Sequence, residues 1–150
     1  MWLCDEDIRA ATELLHSQFN NFIGMFDTVL GQTLTFPVCK DPFIQILHVG
    51  GNHWVTVAGV SPSLVHVYDS LYNAVHDDTR MQVAAIMHTT ERYIDFKVHK
   101  IQFQKGTSDC GLFSVAYATD LAFGNDPASY MYKQNLLRSH FTSCISMIMH

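Results

Sequence analysis

The residues best suited to chemistry in this chain gather around Gln104-Lys105-Gly106-Thr107-Ser108-Asp109-Cys110-Gly111. A strand-like run, Ile94 to Phe103, leads in, and an apolar segment, Leu112 to Phe123, leads out. Thr107, Ser108 and Asp109 are residue types that cap helices. Cys110 therefore falls in a first helical turn, where free backbone N–H groups and the helix dipole favour an anion. A cysteine at the head of a buried helix can be simple packing. At this position it also suits a thiolate nucleophile, which needs a base, a group to orient that base, and donors for an oxyanion.

Nine histidines compete for the base. His16 and His88 fall on helices, His99 on a strand, and His140 and His150 near the end, all ordinary positions. His53 differs, because it opens a strand directly after the turn Gly50-Gly51-Asn52 and is followed by Trp54. If the next strand folds back over Ser61-Pro62-Ser63, Asp69 comes to lie opposite or diagonal to His53 on one face. That carboxylate can fix the imidazole. His66 has the wrong parity for this partnership, and His48 is the rival base. Gln104 ends its strand six residues before Cys110 and can bring an amide to the same place as the Cys110 N–H. No spacing typical of a zinc site occurs, so no metal or cofactor is expected.

These residues need elements to carry them. Asp5 to Phe19 has helical spacing at Ile8, Ala11, Leu14, Leu15 and Phe19, with three acids in its first turn. Asn20 to Asp41 reads as a long connection with room for one short strand, the kind of segment that often serves function. Phe43 to Val49, His53 to Val60 and Leu64 to Asp69 read as strands, and Asp77 to Thr90 as a helix. Tyr93 to Phe103 reads as a strand whose alternation of Ile94, Phe96 and Val98 changes parity towards Ile101 and Phe103. The apolar residues of Leu112 to Phe123 surround the helical wheel, which predicts a buried central helix. Gly124 is a C-cap, Asn125-Asp126-Pro127 starts a further turn, and Leu136 to Met149 closes the chain with Phe141, Ile145 and Ile148 on one side. The order of elements is α+β, with a mixed or antiparallel sheet.

Composition narrows the function classes. A chain of 150 residues, 48% hydrophobic and 15% charged, forms one domain with a real core. Its abrupt start inside a helical pattern suggests a catalytic core, residues 1–150, cut from a longer protein. A net charge of −5 without a basic cluster argues against nucleic acid. No segment reads as a membrane span or signal peptide. Four scattered cysteines, with no CxxC pair, suit the reducing cytoplasm or nucleus.

Taken together, Trp2-Leu3-x-Asp5, His53-Trp54, Tyr68-Asp69-Ser70, and Gln104 followed by Asp109-Cys110-Gly111 resemble the ubiquitin-like-protease family of cysteine peptidases. That family comprises the SUMO-deconjugating group with its Nedd-specific, viral and bacterial relatives. The resemblance covers nearly the whole chain. It implies a papain-like α+β fold, a catalytic set His53, Asp69, Cys110 and Gln104, and cleavage after a C-terminal Gly-Gly. It also implies that Trp2, Asp5 and Trp54 bind substrate, the two tryptophans clamping the Gly-Gly. The implied partner is a SUMO, ubiquitin or Nedd-type modifier with its lysine conjugates, met by a monomeric enzyme. Three features depart from the family: the short chain, Cys4 in place of an asparagine, and the unmatched Asn20–Asp41 connection. They leave open which modifier is used. A viral-type processing endopeptidase and a catalytically silent modifier-binding module are the alternatives.

Overall fold

The computed structural model describes residues 2–19, 23–87, 89 and 91–149, with the backbone alone for 145–149. His88, His150 and the side chains of Ile145 and Ile148 lie outside this set. The elements run α1 (Asp5–Gln18), β1 (Phe43–Val49), β2 (His53–Ser61), β3 (Leu64–Tyr68), α2 (Asp77–Met87), β4 (Asp95–Val98), α3 (Cys110–Ala122) and α4 (Gln134–Met149). Short 3₁₀ turns occupy Thr28–Gly31 and Pro127–Ser129. The fold is α+β around one mixed sheet of order β1-β2-β3-β4, antiparallel except for the parallel pair β3–β4.

Both faces of the sheet are covered, so β2 is buried from His53 to Gly59 instead of alternating. Val55, Val57, Val65 and Val67 pack with Val83 and Ile86 of α2 on one face. On the other, Ile46 and Trp54 share a cluster with Cys110 and Leu112, and Ala58 and Tyr68 pack with Phe113 and Tyr117. The first half of α3 is thus interior, as its apolar wheel requires, whereas Val115, Leu121 and Ala122 are only half-buried. The buried Thr56 hydroxyl donates to the Ser114 carbonyl at 2.8 Å, which fixes the height of α3 against β2. Leaving either group unpaired in this interior would cost on the order of 1–3 kcal/mol.

At the head of α1 the Cys4 N–H donates to Asp7 Oδ2 at 2.9 Å, and Asp5, Glu6 and Asp7 occupy the positive end of the helix dipole. Among its described residues, 23–41, the long connection holds no strand. It bears the turn at Thr28–Gly31 and a single parallel bridge from Gly24 to Ile44. Gly24 has φ +102°, and a Cβ there would meet the Ile44 carbonyl oxygen at 2.0 Å. The buried Gln45 amide ties the segment down by accepting from Phe26 N–H and donating to Phe26 O.

Two expected elements are shorter. Helix α2 runs Asp77–Met87 and Thr89 is already outside it, the expected end at Thr90 lying outside the described residues. The expected strand Tyr93 to Phe103 is reduced to Asp95–Val98. The reason for the second is visible in three backbone bonds: Asp95 N–H to Ser63 O, His99 N–H to Val67 O, and Gln104 N–H to Ser70 O. The first two keep step with β3. Between the second and third, the outer chain advances five residues against three on the inner one, so two residues are looped out. Regular pairing stops at this loop, which delivers Gln104 to the end of β3.

Candidate active site

His53 opens β2, Asp69 follows β3, Gln104 ends the looped segment, and Cys110 begins α3. All four are buried. Thr56 pairs with Tyr68, so Asp69 stands one step beyond the ladder and diagonal to His53. His53 Nε2 and Asp69 Oδ1 are 2.8 Å apart. The same carboxylate oxygen accepts from the Leu71 and Tyr72 N–H groups at 2.9 and 3.1 Å, so the turn after β3 pins the acid in place.

His53 Nδ1 is buried and carries no formed hydrogen bond. The side chain that acts on the ring besides Asp69 is Cys110. Burial alone would push the imidazole down. The Asp69 hydrogen bond and the Cys110 side chain, reinforced by their charges, outweigh it and hold the ring up at about 9. The ring is therefore charged at neutral pH, beside a thiol and backed by a carboxylate.

Gln104 is oriented from both ends. Its Oε1 accepts from the Ser70 hydroxyl, and its Nε2 donates to Gly106 O at 3.1 Å. One amide hydrogen remains for a further acceptor. Asp69 and Ser70 are neighbours, so one turn positions both the acid and the amide. Gly106, at φ +75°, supplies the left-handed backbone between Gln104 and Cys110. A Cβ on Gly111 would lie 2.9 Å from Leu3 Cβ, so glycine allows the N-terminal segment to close over the helix start.

Trp54 is buried, donates its indole N–H to Leu3 O at 3.1 Å, and stacks on His48 at 4.3 Å between centroids. The ring thereby anchors the segment that carries Trp2, itself 43% exposed. His48 is a neighbour of the site with its ring on Trp54, while the carboxylate bond belongs to His53. Burial lowers the His48 pKa, against a smaller opposing pull from Asp5. Asp5 is exposed and accepts from the Thr28 hydroxyl at 3.3 Å.

Asp109 departs from the sequence expectation. Its side chain makes no cap on α3. The two oxygens instead bind Arg138 and Gln134 of α4, each at 2.9 Å. Burial raises the Asp109 pKa, but these bonds and the Arg138 charge overcome it and hold the carboxyl below its usual range. Ser70 and Tyr72 also escaped the sequence reading. Tyr72 sets its ring edge-on to His53 at 5.3 Å. Ser70 sits in the Tyr68-Asp69-Ser70 run, whose pattern is the one signal that could have found it.

Among the described residues, no group of three or more His, Cys, Asp or Glu is disposed to hold a metal ion. Likewise, no helix among them is long and apolar enough to cross a membrane. The arrangement is a thiol, a charged imidazole, a carboxylate and an amide donor at one end of a sheet, the set that acyl transfer through a thioester uses.

No protein-family model matches the sequence, and no curated protein matches it either. Solved structures do. The SUMO protease Ulp1 with its catalytic cysteine oxidised to a sulfenic acid aligns with TM-score 0.73 at 16% identity, over 96% of this chain and 77% of its own. The Ulp1 protease domain in complex with Smt3, the yeast ortholog of SUMO, gives 0.69 at 16% identity, over 96% and 76%. The Xanthomonas campestris effector XopD bound to ubiquitin gives 0.65 at 15% identity, over 95% and 90%. This chain therefore has the fold of the ubiquitin-like proteases.

Proposed function

We propose that the chain is a cysteine isopeptidase that cleaves after the C-terminal Gly-Gly of ubiquitin or a ubiquitin-like modifier. The observation that carries this is His53, bonded through Nε2 to Asp69, with Nδ1 buried and unbonded and Cys110 as the other side chain acting on the ring. Neighbours of the same fold are SUMO proteases, one solved with Smt3, and an effector solved with ubiquitin. The four free cysteines fit a reducing compartment, the cytoplasm or nucleus.

In the mechanism, Cys110 and His53 form a thiolate–imidazolium pair, and Asp69 holds the ring and balances its charge. Cys110 Sγ attacks the carbonyl carbon of the modifier's last glycine. The developing oxyanion takes the free Gln104 amide hydrogen and the Cys110 N–H. As the tetrahedral species collapses, the C–N bond breaks and the lysine amine leaves with the His53 proton. A water then gives a proton to His53 and attacks the thioester. The C–S bond breaks, and the modifier leaves as a carboxylic acid that gives its proton to solvent, where the freed lysine amine takes one up. The thiolate–imidazolium pair is restored. Trp54 is the fixed wall of the Gly-Gly passage and Trp2 the exposed one, with Asp5 available to the modifier's body.

A passage between two indoles leaves no room for a Cβ. The test is kcat/KM on matched SUMO and ubiquitin substrates ending Gly-Gly, Ala-Gly and Gly-Ala. A misplacement of about 1 Å can cost ~100-fold in rate, so either alanine should slow cleavage at least that much. Trp54→Ala should lower all rates and narrow the gap. Equal rates for the three endings on the wild type would refute the passage and favour a general processing endopeptidase.

A further inference from the structure

The acyl side of the site falls to Trp54 and Trp2 in this reading, Trp54 being stacked on His48 of β1 and bonded to Leu3 O. The departing amine must leave over His53, because that ring supplies its proton. On the β3 side of the ring lies Tyr72, edge-on to it at 5.3 Å and 56% exposed. Tyr72 also lines a pocket of about 400 Å³ with Asn73, Val98, His99, Lys100, Ile101 and Phe103. The looped residues between His99 and Gln104 build its far wall, and Phe103 stands 57% exposed immediately before the oxyanion donor. His99 is also part of the lining, and its Nε2 lies 2.9 Å from His66 Nδ1.

From this continuity we infer that the pocket is a leaving-group subsite, taking a bulky apolar side chain next to the acceptor lysine of the conjugated protein. The inference rests on the isopeptidase reading and names which conjugates that site prefers. The lining is mainly apolar: Tyr72, Val98, Ile101 and Phe103. Lys100 is exposed at the pocket and makes no ion pair among the described residues, so it disfavours a second basic residue there. Two exposed aromatic rings flanking the exit of a buried site would otherwise have no partner for their surface.

The test uses the whole chain and peptides joined through one lysine to SUMO or ubiquitin, differing only in the residue beside that lysine: leucine, glycine or lysine. The order of kcat/KM should be leucine, then glycine, then lysine, with about tenfold between the first two, the usual worth of a filled apolar pocket. Phe103→Ala, an exposed change, should shrink the leucine-to-glycine ratio towards one. Lys100→Glu should lift the lysine peptide to at least the rate of the glycine peptide. Coupling of the same modifiers, carrying a C-terminal thiol-reactive group, to Cys110 reports the acyl side separately. If Cys110 couples and the three peptides are cleaved equally, the subsite is overturned and the isopeptidase reading stands. If neither modifier couples and no peptide is cleaved, both are overturned. A preference that Phe103→Ala and Lys100→Glu leave unchanged assigns it to another surface and also overturns the subsite.

Discussion

Two cysteine–histidine neighbours stand out among the described residues, and they differ in everything except proximity. Cys144 Sγ lies 3.7 Å from His140 Nε2, one turn apart on α4. His140 is exposed, and no carboxylate is hydrogen-bonded to it among the described residues. Cys110 and His53 come from different elements, are both buried, and have Asp69 behind the ring, with Gln104 bonded to Ser70, the residue after Asp69. A thiol beside an imidazole is easily made by i, i+4 spacing. What distinguishes the second pair is the rest of its surroundings: a helix N-terminus, a carboxylate that keeps the ring charged, and an amide fixed by Ser70.

The sharpest break in that comparison is at the sulfur. Cys110→Ala should abolish cleavage of modifier conjugates, while Cys144→Ala and His140→Ala should keep wild-type kcat/KM within about twofold. Next is the carboxylate. Asp69→Asn should leave modifier binding in place and lower kcat by roughly 10³–10⁴-fold, because the ring loses its fixed tautomer and counter-charge. Gln104→Ala should lower kcat by ~100-fold with little change in KM, the mark of a donor used in the transition state. A change confined to KM would make Gln104 a binding residue. Ser70→Ala should cost less, about tenfold, since it frees the amide without removing it.

The smallest effect is on pH dependence. With the His53 pKa raised to about 9, activity that needs the charged ring should persist through neutral pH and fall as pH rises through about 9. The same shift stabilises the fold. Its contribution is full below the unfolded histidine pKa of about 6.5, and it is lost as pH rises through the folded value. In Asp69→Asn the alkaline limb of kcat/KM should move to lower pH. An unmoved limb would assign it to another group.

Which features the sequence disclosed follows from how local their causes are. Cys110 was legible because cap residues, a glycine and an apolar run stand beside it. His53 and Asp69 were legible because a double-glycine turn and a Ser-Pro-Ser turn set the register of two short hairpins. The shortened β4 was not, because the looped-out residues are defined only against Val67 and Ser70 at the end of the neighbouring strand. The true partners of Asp109, Gln134 and Arg138, lie 25 and 29 residues onward on α4, and nothing near Asp109 announces them. A cap was the sound local inference, and tertiary hydrogen bonds overrode it. The role of Ser70 is not local either, since its bond to Gln104 spans 34 residues.

The most direct measurement is to treat wild type, Cys110→Ala and Cys144→Ala with SUMO and ubiquitin bearing a C-terminal thiol-reactive group, and map the adduct by mass spectrometry. The account predicts a single adduct on Cys110 in the wild type and in Cys144→Ala, at equal rates, and none in Cys110→Ala. An adduct on Cys144, Cys39 or Cys4, or one that survives in Cys110→Ala, would contradict it.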